Sequence, residues 1–145
     1  MEARAADSPA VGVRRYAGRM SSTITPPVLH THVFGPEGAP TVLALHGLTG
    51  HGRRWESFAA QQLPGCRVLA PDLLGHGRSP WTPPWNLDTQ VASIGAVLDA
   101  HLPDGEPVVV AAHSYGSLVA LALAQARPRQ VSALVLFDPA QGLDP

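Results

Sequence analysis

Residues 108–128 read VVVAAHSYGSLVALALAQARP, an apolar run that meets a lone serine and continues into an alanine- and leucine-rich segment. A loop would carry more polar residues, and a buried strand would not be interrupted by a hydroxyl in this way. The pattern therefore predicts a strand over 107–112 and a helix over 117–127, which Pro128 ends. Ser114 lies at the turn between the two elements.

The rest of the chain alternates short apolar runs with longer amphipathic ones, which predicts an α/β fold. Further strands are expected at 28–34, 41–45, 67–70 and 133–137, and further helices at 53–63 and 87–102. Three of the strands are apolar throughout, so they should be buried on both faces. We therefore expect a mostly parallel sheet with helices on both faces, joined by right-handed crossovers. Residues 1–20 are predicted to be a disordered extension, and 21–145 one folded core.

The composition excludes several classes of function. The net charge is −1, so no basic field favours nucleic acid as a partner. No apolar run approaches the ~20 residues that a membrane helix needs. All ten cationic residues are arginine, which removes lysine Schiff-base chemistry. No apolar leader segment is evident near the N-terminus, and the sequence therefore predicts a cytoplasmic protein.

Small residues surround Ser114 where a sharp turn would need them. Ala112 and Gly116 lie two positions to either side, which gives the G-x-S-x-G nucleophile pattern with alanine in place of the first glycine. Such a turn lifts the hydroxyl above the carboxyl edge of the sheet, where open α/β folds bind ligands. The N-terminus of the following helix favours negative charge that develops there. The simpler interpretation is that Ser114 only caps the helix.

Two further motifs follow two of the apolar strands: HGLTG at 46–50 and PDLLGHGRS at 71–79. Together with AHSYGS at 112–117, in this order and at these separations, they make the chain resemble the α/β-hydrolase superfamily. The nearest resemblance is to its serine esterase, lipase and carbon–carbon hydrolase branch. It covers the N-terminal portion of that fold, truncated after about the sixth strand. PDLLGHGRS is assigned a structural role, in which its glycines permit tight turns.

The resemblance implies roles for individual residues. Ser114 matches the nucleophile, and the backbone amides of Leu48 and Tyr115 match the two donors of the oxyanion hole. Asp138, which directly follows the last predicted strand, is a possible acid, although Asp-Pro is equally typical of a strand-ending turn. The family's histidine base would come beyond Pro145. The chain is therefore expected to be a fragment or shortened product of a longer hydrolase, unless it recruits a base in another way.

The histidines that the chain does contain have structural interpretations. His113 adjoins Ser114 and should point away from it at a sharp turn. His46 and His76 lie in glycine turns and are expected to hydrogen-bond to the backbone. His30 and His32 share one face of a strand, a spacing that suits a metal, but no acidic or third histidine partner is evident beside them. They are predicted to be partly exposed strand residues, and no metal or cofactor is expected.

Three functions remain open at this point. The first is a serine hydrolase that cleaves a small-molecule carboxylic ester through an acyl-enzyme at Ser114. The second is another reaction on the same fold: carbon–carbon, thioester or lactone hydrolysis, or cofactor-free haloperoxidation. The third is a non-catalytic, truncated or ligand-binding relative. In that case the strand at 133–137 would form an apolar edge that aggregates or pairs with a partner. The sequence leaves the oligomeric state open.

Overall fold

The computed structural model describes residues 25–140, so the predicted N-terminal extension lies outside the described residues. The strands are β1 (Thr31–Phe34), β2 (Thr41–Leu45), β3 (Arg67–Pro71), β4 (Val108–His113) and β5 (Val131–Phe137). The helices are a 3₁₀ turn (Gly52–Trp55), α1 (Glu56–Gln62), α2 (Leu87–His101) and α3 (Tyr115–Ala126). Every predicted strand and helix is therefore present, with boundaries shifted by up to three residues.

The five strands form one sheet in the order β1-β3-β2-β4-β5. Strand β1 runs antiparallel to β3, and all other neighbours are parallel. In the register of the sheet, Leu45 pairs with Ala112, and His113 pairs with Phe137. The carboxyl ends of β2, β4 and β5 consequently meet at one edge, the edge at which the sequence places its motifs. The prediction of a mostly parallel α/β sheet is confirmed.

Helices cover both faces of the sheet, as predicted. Because successive side chains of a strand point to opposite faces, β2 contributes to two separate cores. Leu43 and Leu45 belong to the larger core with residues of α2 and α3. Val42 and Ala44 belong to the smaller core, which they share with Trp55 and residues of α1. The central strands β2, β3 and β4 are largely buried, which agrees with their apolar sequences.

The helix ends follow local signals. Asn86 caps α2 by accepting a hydrogen bond from the amide of Thr89, with 2.9 Å between the two atoms. Helix α3 begins at Tyr115, two residues earlier than predicted, because the turn after β4 occupies the single residue Ser114. The longest helix, α2, has 15 residues. Of the helices in residues 25–140, none has the length and hydropathy that crossing a bilayer requires.

Strand β5 lies at an edge of the sheet. Among residues 25–140, no other strand pairs with its outer side. Val135 is 46% exposed and Phe137 is 37% exposed, so this strand presents apolar side chains to solvent. The described part of the chain therefore has the apolar edge that the sequence predicts for this strand.

Candidate active site

Ser114 has a backbone conformation that non-glycine residues rarely adopt. Its φ is +50° and its ψ is −117°, directly between the end of β4 and the start of α3. A residue held in this way costs of order 1–3 kcal/mol, so its surroundings must fix it. The Ser114 amide donates to the carbonyl oxygen of Phe137 at 3.1 Å, and the Ser114 carbonyl accepts from the amide of Ser117 at 2.9 Å.

The Ser114 side chain does not cap α3. It occupies the N-cap position, but its hydroxyl accepts no hydrogen bond from the amides of the helix. Capping by Ser, when it occurs, is made by this side-chain bond. The interpretation of Ser114 as a simple helix cap is therefore wrong, whereas the sharp strand–helix turn is confirmed.

The small residues beside Ser114 are required to different degrees. A Cβ atom on Gly116 would lie 2.6 Å from the carbonyl oxygen of Leu45 and 2.7 Å from that of His46. Helix α3 therefore starts in direct contact with the end of β2, and only glycine fits at this position. Ala112 already carries a Cβ and is fully buried. The contacts thus require glycine at position 116, whereas position 112 accommodates the Cβ of alanine.

The HGLTG motif packs against Ser114. The amide of Gly50 donates to the carbonyl oxygen of Gly47 at 2.9 Å, which closes a turn around Leu48 and Thr49. A Cβ atom on Gly47 would lie 3.2 Å from the Cβ of Ser114. The loop that carries the predicted Leu48 donor is therefore in contact with the predicted nucleophile.

The two backbone amides that are predicted to form the oxyanion hole donate no backbone hydrogen bond within the described residues. Within residues 25–140, neither the Leu48 amide nor the Tyr115 amide donates a hydrogen bond to another backbone group. Tyr115 is the first residue of α3, and the first amides of a helix have no partner within it. One unused amide thus adjoins Ser114 in sequence, and the other lies in the turn that touches it. Their role as an oxyanion hole remains a prediction.

A cavity of about 440 Å³ opens beside Ser114. The aromatic side chains Trp55, Phe58 and Phe137 line it together with Ser114, and its lining is mainly apolar. The lining residues are His46, Gly47, Leu48, Thr49, Gly50, Arg54, Trp55, Phe58, His113, Ser114 and Phe137. The rings of Trp55 and Phe58 meet edge to face, with 5.4 Å between their centroids. Such a cavity can hold an apolar group next to the serine hydroxyl.

Sequence patterns alone do not identify these aromatic residues as part of a site. They predict only that Trp55 and Phe58 lie in the helix at 53–63 and that Phe137 ends the strand at 133–137. In the structure the Phe137 ring lies 5.7 Å from the Phe58 ring, measured between centroids. The apolar helix face was the available signal, but it does not distinguish a core from a cavity wall.

A second cavity has a volume of about 470 Å³. It is lined by Leu48, Leu74, Gly75, His76, Trp81, Trp85, Gln90 and Tyr115. Leu48 thus lines both cavities. The exposed Trp81 and Trp85 make this second cavity apolar as well.

Asp138 lies at the same edge of the sheet as Ser114. It follows β5, is exposed, and has a φ of +42°. The residue before it, Phe137, accepts the hydrogen bond from the Ser114 amide. Its position agrees with the prediction, but none of the ion pairs found in residues 25–140 joins Asp138 to a histidine. Its role as the acid remains a prediction.

His46 hydrogen-bonds to the backbone, as predicted, and it is also buried. Its Nδ1 donates to the carbonyl oxygen of Gly47 at 2.8 Å, and its Nε2 accepts from the amide of Leu73 at 2.9 Å. Burial of the ring lowers the pKa of His46 to about 4. The ring is therefore neutral at physiological pH and joins the HGLTG turn to the segment after β3. Both nitrogens are engaged, which leaves neither for the Ser114 proton.

His76 also bonds to the backbone, as predicted. Its Nδ1 lies 3.0 Å from the carbonyl oxygen of Leu74, and its Nε2 contacts the carbonyl oxygen of Leu48. A neutral ring donates to one of these two oxygens at a time. His113 is exposed, with its ring against Gly47. Of the histidines described, none is hydrogen-bonded to the Ser114 hydroxyl.

The PDLLGHGRS motif is built around Asp72. Oδ1 accepts from the amide of Gly52 at 2.7 Å, and Oδ2 accepts from the amide of Arg78 at 2.8 Å. Burial alone would raise the pKa of Asp72, but these two amides, helped by nearby imidazoles, hold it below its ordinary value. Gly77 has a φ of +50°, and a Cβ there would lie 2.1 Å from Oδ2. The structural role predicted for this motif is confirmed.

The interpretation of His30 and His32 needs a correction. Both are partly exposed, as predicted, but an acidic partner does lie beside them. Nε2 of His32 is 3.3 Å from Oδ1 of Asp72. The sequence did not reveal this contact because it depends on the antiparallel pairing of β1 with β3, in which Thr31 lies opposite Pro71. That pairing brings the first residues of β1 next to the segment after β3.

Comparisons with known proteins agree with this architecture. A protein family described as "alpha/beta hydrolase fold" matches residues 40–145. "Lipase LipV" of Mycobacterium tuberculosis is 54% identical over 116 residues, which cover 80% of this chain and 43% of LipV. "Probable protein phosphatase methylesterase 1" of Caenorhabditis elegans is 34% identical over 122 residues, 79% of this chain and 33% of that protein.

A solved structure described as "Thioesterase Domain From Curacin Biosynthetic Pathway" matches with a TM-score of 0.69 and 32% identity. The match covers 77% of this chain and 42% of that domain. The chain thus spans less than half the length of each of these proteins.

Proposed function

The chain belongs to the α/β-hydrolase family, and on this premise we propose that it supplies the nucleophile of a serine hydrolase that cleaves carboxylic esters. The observation that carries the proposal is the turn at Ser114. A non-glycine residue with a φ of +50° directly precedes one amide that has no backbone acceptor among the described residues, contacts the loop that carries the other, and lines a mainly apolar cavity. The relatives named above as a lipase and a methylesterase support ester bonds as the target.

The proposed reaction starts at the Ser114 hydroxyl. Its oxygen attacks the ester carbonyl carbon, and the carbonyl oxygen becomes an oxyanion that accepts hydrogen bonds from the Leu48 and Tyr115 amides. The alcohol then leaves with a proton, and an acyl group remains on Ser114. Water hydrolyses this acyl-enzyme and restores the serine. The amides act from a fixed backbone, so they need no reorganisation as charge develops.

The proton of Ser114 requires a base. His46 has both ring nitrogens engaged by the backbone, so it is not assigned this role. We assign the base to a histidine beyond residue 145 in a longer protein, as in the family. Asp138 would orient that histidine, because it lies at the same edge of the sheet as Ser114.

The cavity beside Ser114 favours an apolar acyl or alcohol group. Its aromatic walls, Trp55, Phe58 and Phe137, present hydrocarbon surface, and Arg54 is the charged residue among the lining residues. An ester with a hydrocarbon chain buries apolar area against these rings.

A chimera tests this proposal. In it, residues 1–145 are continued by the C-terminal part of LipV that follows the aligned region, and we call this protein the completed chain. We expect it to hydrolyse p-nitrophenyl esters, and Ser114→Ala to abolish the activity. Ser117→Ala is the matched control, because Ser117 is a nearby serine of α3 that is buried and does not line the cavity. Hydrolysis that survives Ser114→Ala would contradict the proposal. Thioester and lactone substrates in the same assay separate the alternative reactions.

A further inference from the structure

A second cluster of reactive side chains lies where β1 meets the segment after β3. It consists of His30, His32 and Asp72, whose ligand atoms all lie within 4.8 Å of one another. We propose that these three residues bind a zinc ion. The cluster shares no residue with the lining of the Ser114 cavity, so the proposal is independent of the proposed hydrolase.

The separation of the donor atoms suits zinc. Zn²⁺ binds histidine nitrogen and carboxylate oxygen at about 2.0–2.2 Å in a tetrahedron, which places any two donors about 3.3 Å apart. His32 Nε2 and Asp72 Oδ1 are 3.3 Å apart. The third ligand, from His30, lies within the same cluster and reaches the ion by a change of side-chain torsion. A water molecule would complete the tetrahedron.

The backbone of the ligands is already fixed. The His30 amide donates to the hydroxyl of Ser79 at 2.9 Å, and the His30 carbonyl accepts from the Asp72 amide at 2.8 Å. The Asp72 carboxylate is held by the amides of Gly52 and Arg78. Each carboxylate oxygen accepts one of these bonds and keeps a second lone pair. The ion would therefore bind to groups that need little ordering, which favours affinity.

The cluster is accessible from solvent. Asp72 is 1% exposed, but the His32 side chain is 17% exposed and lines a cavity of about 330 Å³. The charged or titratable residues that line this cavity are His32, His51, Arg53, Glu56, Asp72 and Arg78. Arg53 is paired with Glu56, with 3.2 Å between Nε and Oε2. The Asp72 carboxylate thus provides the negative charge nearest to the two imidazoles.

The ion would join an edge strand to the rest of the fold. His30 directly precedes β1, His32 lies within it, and Asp72 directly follows β3. A ligand that binds the folded state and not the unfolded state raises the stability of the fold. Bound zinc should therefore stabilise the attachment of β1, at a position away from Ser114.

Calorimetric titration of the metal-free chain with ZnCl₂ tests the proposal. We expect one zinc ion per chain, a higher melting temperature when zinc is present, and about 100-fold weaker binding in the His30→Ala/His32→Ala double variant. His113→Ala is the control, because His113 is an exposed histidine that belongs neither to the cluster nor to the lining of its cavity, and zinc binding by this variant should be unchanged. Asp72 is left intact since it braces the fold.

Cobalt provides a readout that does not depend on variants. Co²⁺ added to the unaltered chain should give the absorption of a four-coordinate ion, and X-ray absorption of the zinc form should show two imidazoles among the ligands. Absence of zinc binding would overturn the proposal. Binding that is equally tight in a folded double variant, or an ion without imidazole ligands, would also overturn it.

Discussion

Gly116 lies so close to β2 that a Cβ atom on it would stand 2.6 Å from the carbonyl oxygen of Leu45. This contact sets the position of α3, and hence of Ser114, relative to the sheet. We expect Gly116→Ala to lower the free energy of unfolding by about 1–3 kcal/mol, although alanine favours helix. Chemical denaturation measures the change. Gly65→Ala is the control, since a Cβ there meets no atom within 4 Å. Equal stability of the two variants would contradict the close contact.

His46 should make the stability of the fold depend on pH. Burial lowers its folded pKa to about 4, whereas the ordinary value is 6.5. Between these values the unfolded chain binds the proton and the folded chain does not, so stability is lost as the pH falls. The loss attributable to His46 should reach about 3 kcal/mol between pH 7 and pH 4. Urea denaturation at a series of pH values measures it.

The variant His46→Gln tests whether the ring of His46 causes this pH dependence of stability. Glutamine can still accept from the Leu73 amide but does not titrate, so the slope between pH 6.5 and pH 4 should become shallower. Identical slopes in the unaltered chain and in His46→Gln would show that this ring is not the titrating group.

Asp72 should contribute more stability than an exposed carboxylate. Its two oxygens accept the amides of Gly52 and Arg78, and an asparagine would turn an NH₂ group toward one of them. We expect Asp72→Asn to cost about 2–3 kcal/mol in the free energy of unfolding at neutral pH. Because the folded pKa is lowered, this advantage should fade as the pH falls through that pKa. Asp104→Asn, at an exposed position, is the control and should change little.

The edge strand β5 should promote self-association of the 145-residue chain. Val135 is 46% exposed on a strand whose outer side is unpaired within residues 25–140. A lysine in an edge strand opposes strand-to-strand contact, so Val135→Lys should shift the chain toward monomer. Val28→Lys is the control, at an 81% exposed position before β1. Sedimentation velocity that finds the unaltered chain fully monomeric would contradict the expectation.

Asp138 can be tested in the completed chain. Asparagine also tolerates a φ of +42°, so Asp138→Asn should keep the backbone. If Asp138 orients the base, kcat should fall by about 10³- to 10⁴-fold. Asp104→Asn is again the control. A kcat that stays within a few-fold of the unaltered enzyme would remove Asp138 from the triad.

The sequence predicted what depends on neighbours along the chain. The strand–turn–helix around Ser114 was predictable because small residues at 112 and 116 meet a local steric demand. The backbone bonds of His46 were predictable for a similar reason, since a histidine in a glycine turn meets nearby carbonyls. Burial of the central strands followed from their uninterrupted apolar sequence.

Contacts between distant segments were not predictable in the same way. The approach of His32 to Asp72 depends on the antiparallel direction of β1, which no local pattern encodes. The ring of Phe137 became a cavity wall only because β5 places it opposite Trp55 and Phe58. Such pairings depend on how strands and helices pack, and the pattern of apolar residues alone does not specify their partners.

The most direct test of the central claim is a crystal structure of the completed chain after treatment with a fluorophosphonate. We expect phosphorus bonded to Oγ of Ser114. We also expect the phosphonyl oxygen to lie about 2.7–3.1 Å from the amide nitrogens of both Leu48 and Tyr115. A phosphonate attached elsewhere, or a phosphonyl oxygen that faces neither amide, would contradict the proposed roles of these residues.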